Sequence, residues 1–239
     1  MLELACVETT QALPVISGST RLVALLGHPV AHSLSPRMQN AAFAVLALDY
    51  AYVAFDVPPE RLEGAVRGLG ELGFAGANVT APYKLAVAKL VDTDDVSVNT
   101  LVFRDGRIEG HSTDAAILEG LPAERPVIIG GGGSAVAFAR ALPHARRFER
   151  QGVWPPEIDD ADLVVNATPV KDEVLVRVGA GQTLVDLPYP GSATAAVARE
   201  AGATVHDGLE VLVAQGAASF ELWTGSPAPV EVMRSAIRT

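Results

Sequence analysis

Cysteine is all but absent from this chain: Cys6 is the only one in 239 residues. It excludes an intrachain disulfide and any cysteine-cluster metal site, and it fits a reducing compartment, so a cytoplasmic protein is expected. Histidine is scarce too. The five histidines, at 28, 32, 111, 144 and 206, form no HExxH pattern and no pairing with acidic ligands, so no metal is expected. Basic residues are in deficit, 18 Lys and Arg against 28 Asp and Glu, and the formal net charge of -10 has the wrong sign for gripping nucleic-acid phosphates. Long apolar runs are also missing. None approaches the ~18 residues of a membrane span, and the N-terminus lacks the basic region of a signal peptide. These absences leave a small molecule as the expected partner. What is abundant is apolar residues, 49% of the chain, enough to fill the cores of two ordinary domains with a cleft between them.

Those residues come in alternating short and long stretches. From Arg21 the order is strand "RLVALLG", helix Ser35 to Leu48, strand "YAYVAFDV", helix Pro59 to Leu72, strand "FAGANV" and helix Pro82 to Val91. Such alternation predicts βαβ units on a mostly parallel sheet. Ser35 reads as the N-cap of the first helix, with Pro36 at its first position. In "VNTLVFRDGRIEGHSTD" the Asp105-Gly106 pair predicts a tight turn between two strands. A linking helix, Asp114 to Leu121, leads to a second alternation: "PVIIGGGGSAVAFARAL", "ARRFER", "ADLVVNATP", "QTLVDLPYP", helix Ala193 to Ala201 and "ATVHDG". The fold class is therefore α/β in two domains. One covers 1–112 and 210–239, the other is a Rossmann-like unit at 113–209, and "LEVLVAQGAASFELWTG" is the closing helix.

Four constellations carry chemistry. In "VIIGGGGSAVAFARAL" the glycines of 130–133 follow a buried strand and open a helix of small residues, where backbone N–H groups can approach a pyrophosphate. Ala135 stands where the third glycine of the usual fingerprint would be. No Asp or Glu ends the next strand in the usual NAD manner, and Arg146, Arg147 and Arg150 favour a 2′-phosphate, hence NADP. "GANVTAPYK" sets Asn78, Thr80 and Lys84 at the carboxyl end of a strand, where α/β ligands sit. A lysine there can pass a proton if a carboxylate holds it, and Asp114 in "GHSTDAA" is the candidate partner; its other reading is a helix-start aspartate with Thr113 as N-cap. Finally, "GHPVAHSLSPRMQN" puts Ser33 and Ser35 either side of Leu34, so that in extended backbone both hydroxyls face one way, toward a polyol or carboxylate. His28 and His32 are assigned no role.

Taken in order, these segments resemble the shikimate dehydrogenase family over most of the chain: "GHPVAHSLSPRMQN", "NVTAPYK", "VNTL", "STD", "GGGGSA", "NATP" and "DGLEVLVAQGAASFELWTG". The resemblance implies an oxidoreductase acting on a CH-OH group, the reversible NADPH-dependent reduction of 3-dehydroshikimate to shikimate in chorismate and aromatic amino-acid biosynthesis. It implies that Ser33 and Ser35 hold the substrate carboxylate and that Thr80, Asn99, Asp114 and Gln215 hold the ring hydroxyls, with Asn78 as a further substrate-binding residue. Lys84 and Asp114 are the implied acid/base pair, and Tyr189 lies near substrate and nicotinamide. For the cofactor, the implied set is Gly130, Gly132, Gly133 and Ala135 at the pyrophosphate, Arg150 at the 2′-phosphate and Thr168 on the nicotinamide side, with Ser134 and Gly208 as further cofactor-binding residues.

The chain departs from the family pattern in several places. "STD" replaces "NTD", the segment between Lys84 and Asn99 is short, "ERQ" (149–151) replaces "NRT", and the helix after Arg150 is nearly gone. Glu149 would repel a 2′-phosphate, whereas it can bond the free ribose hydroxyls of NAD. NAD, quinate as substrate, a non-catalytic shikimate-binding regulator with a degenerate cofactor lobe, and a homodimer therefore stay open.

Overall fold

The structure is a computed structural model and describes residues 16–238; Cys6 lies outside the described residues. Its first half builds a five-stranded sheet from β1 (Arg21–Gly27), β2 (Tyr50–Asp56), β3 (Gly76–Val79), β4 (Thr100–Arg104) and β5 (Arg107–His111), in the order β2-β1-β3-β4-β5. The first three strands are parallel, while β4 and β5 form an antiparallel hairpin edge. Asp105 (φ 50°) and Gly106 (φ 74°) turn that hairpin in the left-handed region, which Asp-Gly tolerates and most residue pairs do not.

The period-two alternation of β1 decides what covers the sheet. Val23 and Leu25 face α1 (Ser35–Val45) and two C-terminal helices, α6 (Gly208–Thr224) and α7 (Val230–Ile237), while Ala24 and Leu26 face α2 (Leu62–Glu71). The C-terminal helices thus pack on the first sheet, where Trp223 Nε1 donates to Leu101 O at 2.9 Å.

The second sheet is wholly parallel, from β6 (Pro126–Ile129), β7 (Arg146–Phe148), β8 (Leu163–Asn166), β9 (Thr183–Asp186) and β10 (Thr204–His206), ordered β10-β9-β8-β6-β7. One face carries α4 (Gly133–Ala141). The other carries α5 (Ala193–Glu200) and two irregular segments, whose Ile158, Ala161, Val176 and Val178 supply the apolar cover that helices would have given. Pro155 and Pro156 remove backbone donors from the first of these segments, so no helix forms there.

Several boundaries differ from the sequence reading. α1 stops at Val45, because Ala47 takes φ 51°. Ser35 is not the N-cap: Leu34 holds that position in a right-handed turn, and Ser33 Oγ accepts the Ser35 N–H at 3.2 Å, so the two serines are not on extended backbone. Residues 59–61 are a 3-10 turn before α2, and the linking helix is a 3-10 turn over Asp114–Leu118. The helix expected from Pro82 to Val91 shrinks to α3 (Lys84–Val87), since Asp92 leaves it to exchange backbone bonds with Ile108 and Gly110 at the β5 edge.

Candidate active site

Strands β1, β3 and β5 end at the same side of the first sheet, and the antiparallel β4 begins there. Ser33 and Ser35 follow β1, Thr80 follows β3, Lys84 opens α3, Asn99 immediately precedes β4, and Asp114 follows β5. Gly27 lets Thr80 in: a Cβ on Gly27 would lie 2.4 Å from Thr80 Cγ2. Ser33, Ser35, Asn78, Thr80, Lys84, Asn99, Tyr189 and Gln215, eight of the sequence-predicted residues, line one cavity of ≈ 80 Å³ floored by Leu25, Val79 and Leu212.

At its heart Lys84 Nζ donates to both Asp114 oxygens at 2.7 Å, the two side chains only 10% and 5% exposed. The third ammonium hydrogen reaches Ser134 Oγ at 3.0 Å, across from the second lobe. Asn99 Nδ2 donates to Asp114 Oδ1 (3.0 Å) and to Gln215 Oε1 (3.1 Å), tying the carboxylate to α6.

Behind these groups runs a buried polar chain that sequence reasoning missed in part. Tyr52 donates to Asn78 Oδ1 at 2.8 Å, and Asn78 Nδ2 reaches Thr100 Oγ1 and Ser219 Oγ at 3.1 and 3.0 Å. Ser219 in turn lies 3.1 Å from Thr113 Oγ1, which bonds Asn99. The hydroxyl of Thr113 is therefore spent on this network and caps no helix. Mutually satisfied buried groups of this kind fix one rotamer each, so Asn78 serves as much to position its neighbours as to face the cavity. Tyr52 and Ser219 gave no signal in sequence beyond polar atoms inside apolar elements. Burial pushes the phenols of Tyr52 and Tyr189 up from their ordinary value, opposed in Tyr52 by the Ser35 hydroxyl and in Tyr189 by that of Ser33.

The glycine turn lies directly against this cluster. Gly130 adopts φ 127°, and a Cβ on Gly133 would lie 2.9 Å from Lys84 Cβ and 3.1 Å from Ser97 Oγ. Gly132 is the N-cap of α4 and is open on its outer side, so the first N–H groups of that helix are available to an anion. Ala135 is fully buried in the α4 packing against the sheet. Thr168 approaches the turn, with its Cγ2 3.5 Å from a Cβ on Gly130, and donates to Asn166 Oδ1 at 2.8 Å. Gly208 lies elsewhere, beneath the segment carrying Tyr189, where a Cβ would meet Leu187 O at 2.4 Å. Arg146 pairs with Asp160, and Arg150 pairs with Glu173 and lies 5.8 Å over the Trp154 ring. β7 ends at Phe148, so no acid ends the strand itself, and Glu149 directly follows it. The residues thus fit a dinucleotide: a parallel sheet, an open glycine turn and a nine-residue helix aimed at it. Among the described residues no group of three or more acidic, His or Cys side chains could hold a metal, and no helix is long and apolar enough to cross a membrane.

A buried lysine–carboxylate pair set against a Rossmann-type glycine turn marks the class of two-lobed dinucleotide-linked oxidoreductases. Comparison with known proteins places the chain within that class. Residues 25–100 match the shikimate dehydrogenase substrate binding domain, and 208–238 the shikimate 5'-dehydrogenase C-terminal domain. The shikimate dehydrogenase (NADP(+)) of Methanopyrus kandleri is 42% identical over 279 aligned positions, covering 93% of this chain and 96% of that one. A Thermus thermophilus shikimate 5-dehydrogenase structure, in complex with NADP(H) and shikimate, aligns with a TM-score of 0.79 at 31% identity, covering 92% and 99%. One from Listeria monocytogenes, in complex with shikimate and NAD, aligns at 0.80 and 27%, covering 94% and 99%. The chain belongs to the shikimate dehydrogenase family. The 279-position alignment exceeds the 239 residues here, so the Methanopyrus relative carries insertions this chain lacks.

Proposed function

We propose that this chain catalyses the reversible NADP-dependent interconversion of 3-dehydroshikimate and shikimate, a step of chorismate biosynthesis in the cytoplasm. The observation that carries the reading is the Lys84 ammonium, bonded to both oxygens of Asp114 in the wall of a polar cavity and pressed against the glycine turn. Ser33 and Ser35 take the substrate carboxylate, and Thr80, Asn99, Asp114 and Gln215 orient the ring hydroxyls. A bound nicotinamide supplies or accepts the hydride. The protein's share is the proton: Lys84 gives one to the oxygen of the carbonyl being reduced and takes it back in oxidation, while Asp114 keeps the ammonium aimed. Tyr189 closes the cavity beside Ser33.

The substrate lobe in this reading is 1–112 with 210–239, and the cofactor lobe is 113–209. A catalytic protein is favoured over a shikimate-binding regulator because the second sheet keeps five parallel strands and an open turn despite its missing helices. The test is cofactor reduction by purified protein, with shikimate and quinate each offered against NADP and NAD. Turnover with shikimate and NADP that collapses in Lys84→Ala supports the reading, and absence of turnover with every pair overturns it.

A further inference from the structure

The sequence after β7 reads Glu149-Arg150, an acid ahead of the arginine. In the fold the two side chains part. The Glu149 carboxylate lies against the glycine turn: a Cβ on Gly131 would stand 2.8 Å from its Cδ and Oε2 and 3.0 Å from Oε1. Arg150 turns the other way, into its ion pair with Glu173 and over Trp154. The cation nearest Glu149 is Arg147, at 3.7 Å from Oε1, and Glu149 remains 54% exposed, facing solvent at the mouth of the turn. In a Rossmann unit the ribose of the adenosine half lies beside the residue that ends the second strand, and an acid there accepts hydrogen bonds from its free hydroxyls.

The geometry points to Glu149 as the residue that sets cofactor choice in this chain, lowering its selectivity for NADP(H) so that NAD(H) binds comparably. Two physical effects act together. A ribose with free hydroxyls finds a carboxylate acceptor already placed at the turn, a charge-assisted bond. A 2′-phosphate in the same place meets that carboxylate as a like charge; of the nearby arginines, Arg150 must first leave Glu173, and Arg147 is shared with the carboxylate itself. This inference rests on the proposed dehydrogenase reading and deepens it.

The experiment is equilibrium binding of NADPH and NADH, read by the fluorescence of the dihydronicotinamide, on the full chain and two variants. The wild-type protein is expected to bind the two within about tenfold of each other. Glu149→Gln keeps the size of the side chain and removes the charge, so NADPH tightens by about tenfold while NADH weakens by about threefold. Glu173→Gln frees Arg150 and tightens NADPH alone. The inference is overturned if both dissociation constants move together or by less than twofold in Glu149→Gln, whatever the turnover. Shikimate-dependent turnover with unchanged selectivity sinks this inference and leaves the proposed function standing, whereas a wild-type chain that binds neither dinucleotide overturns both.

Discussion

Lys84 has three ammonium hydrogens and, in the fold, three acceptors: the two oxygens of Asp114 and the hydroxyl of Ser134. The pair is almost fully enclosed, so its partners decide where the proton goes. Asp114→Asn keeps the shape of the side chain but leaves the ammonium facing one amide oxygen. Steady-state kinetics should show kcat reduced by about 10²-fold or more, and the melting temperature should fall, because half of a buried ion pair is left uncompensated. A second buried carboxylate, Asp186, is quite different. Asn166 Nδ2 donates to its Oδ1 at 2.7 Å, and burial raises its pKa above the ordinary 3.8 against the opposing hydrogen bonds of Asn166 and Ser192. A raised folded-state value means that the fold holds a proton more tightly than the unfolded chain does. Stability contributed by this group is therefore present at low pH and is lost as pH rises from the ordinary carboxylate range through the raised value. Asp186→Asn deletes that falling limb, so melting curves across pH should show the variant gaining on the parent as pH rises. A constant difference at all pH values would contradict this account.

At the scale of elements, the chemistry depends on α6, which brings Gln215 and Ser219 to the first sheet from more than 100 residues away in sequence. One of the contacts that dock it is a bond from Trp223 Nε1 to Leu101 O, directly above Gly76. A Cβ on Gly76 would stand 2.2 Å from Trp223 Nε1 and 2.6 Å from Leu101 O, the latter a backbone atom that cannot swing aside. Gly76→Ala should therefore destabilise the fold by ~3 kcal/mol, read by urea unfolding, and weaken shikimate binding by displacing Gln215. None of this was legible in sequence, where Gly76 was one more glycine in a strand. Strand existence was legible, because β1, β6, β8 and β9 are buried along most of their length and read as largely apolar runs. Helix length was not. The stretch after Pro82 has helical composition, but Asp92 gains more by pairing with β5, a tertiary choice that local periodicity does not encode. The chemical residues were recognisable because a lysine, an asparagine and an aspartate at strand ends are out of place in an apolar sheet. The Tyr52–Asn78–Ser219 chain was hidden, since contacts across 26 and 141 residues leave no local trace.

Across the whole molecule, two of the polar contacts between the lobes bear on the Lys84–Asp114 pair. One is Lys84 to Ser134, within the site. The other lies outside it, in the shortened segment between Lys84 and Asn99, where Asp95 Oδ1 pairs with Arg140 Nε of α4 at 3.0 Å and Asp95 Oδ2 accepts the Ser112 N–H at 2.9 Å. A single carboxylate thus holds the cofactor-side helix with one oxygen and, with the other, the strand end that leads into Asp114. This arrangement also gives the "STD" departure a physical account: Ser112 is fixed through its backbone, and its hydroxyl has no hydrogen-bond partner. The two halves of the clamp are separable by mutation. Arg140 is half exposed, so its pairing is worth only ~0.5 kcal/mol, the value expected as the coupling term of an Asp95→Ala/Arg140→Ala double-mutant cycle read by thermal unfolding. Kinetics should separate the halves more sharply. Arg140→Ala leaves the Ser112 bond intact and should change kcat by no more than about twofold, whereas Asp95→Ala also frees the 112–114 turn and should lower kcat by about tenfold through misplacement of Asp114. Equal kinetic losses in the two variants would mean that the carboxylate acts only as a tether between lobes and does not position Asp114 against Lys84.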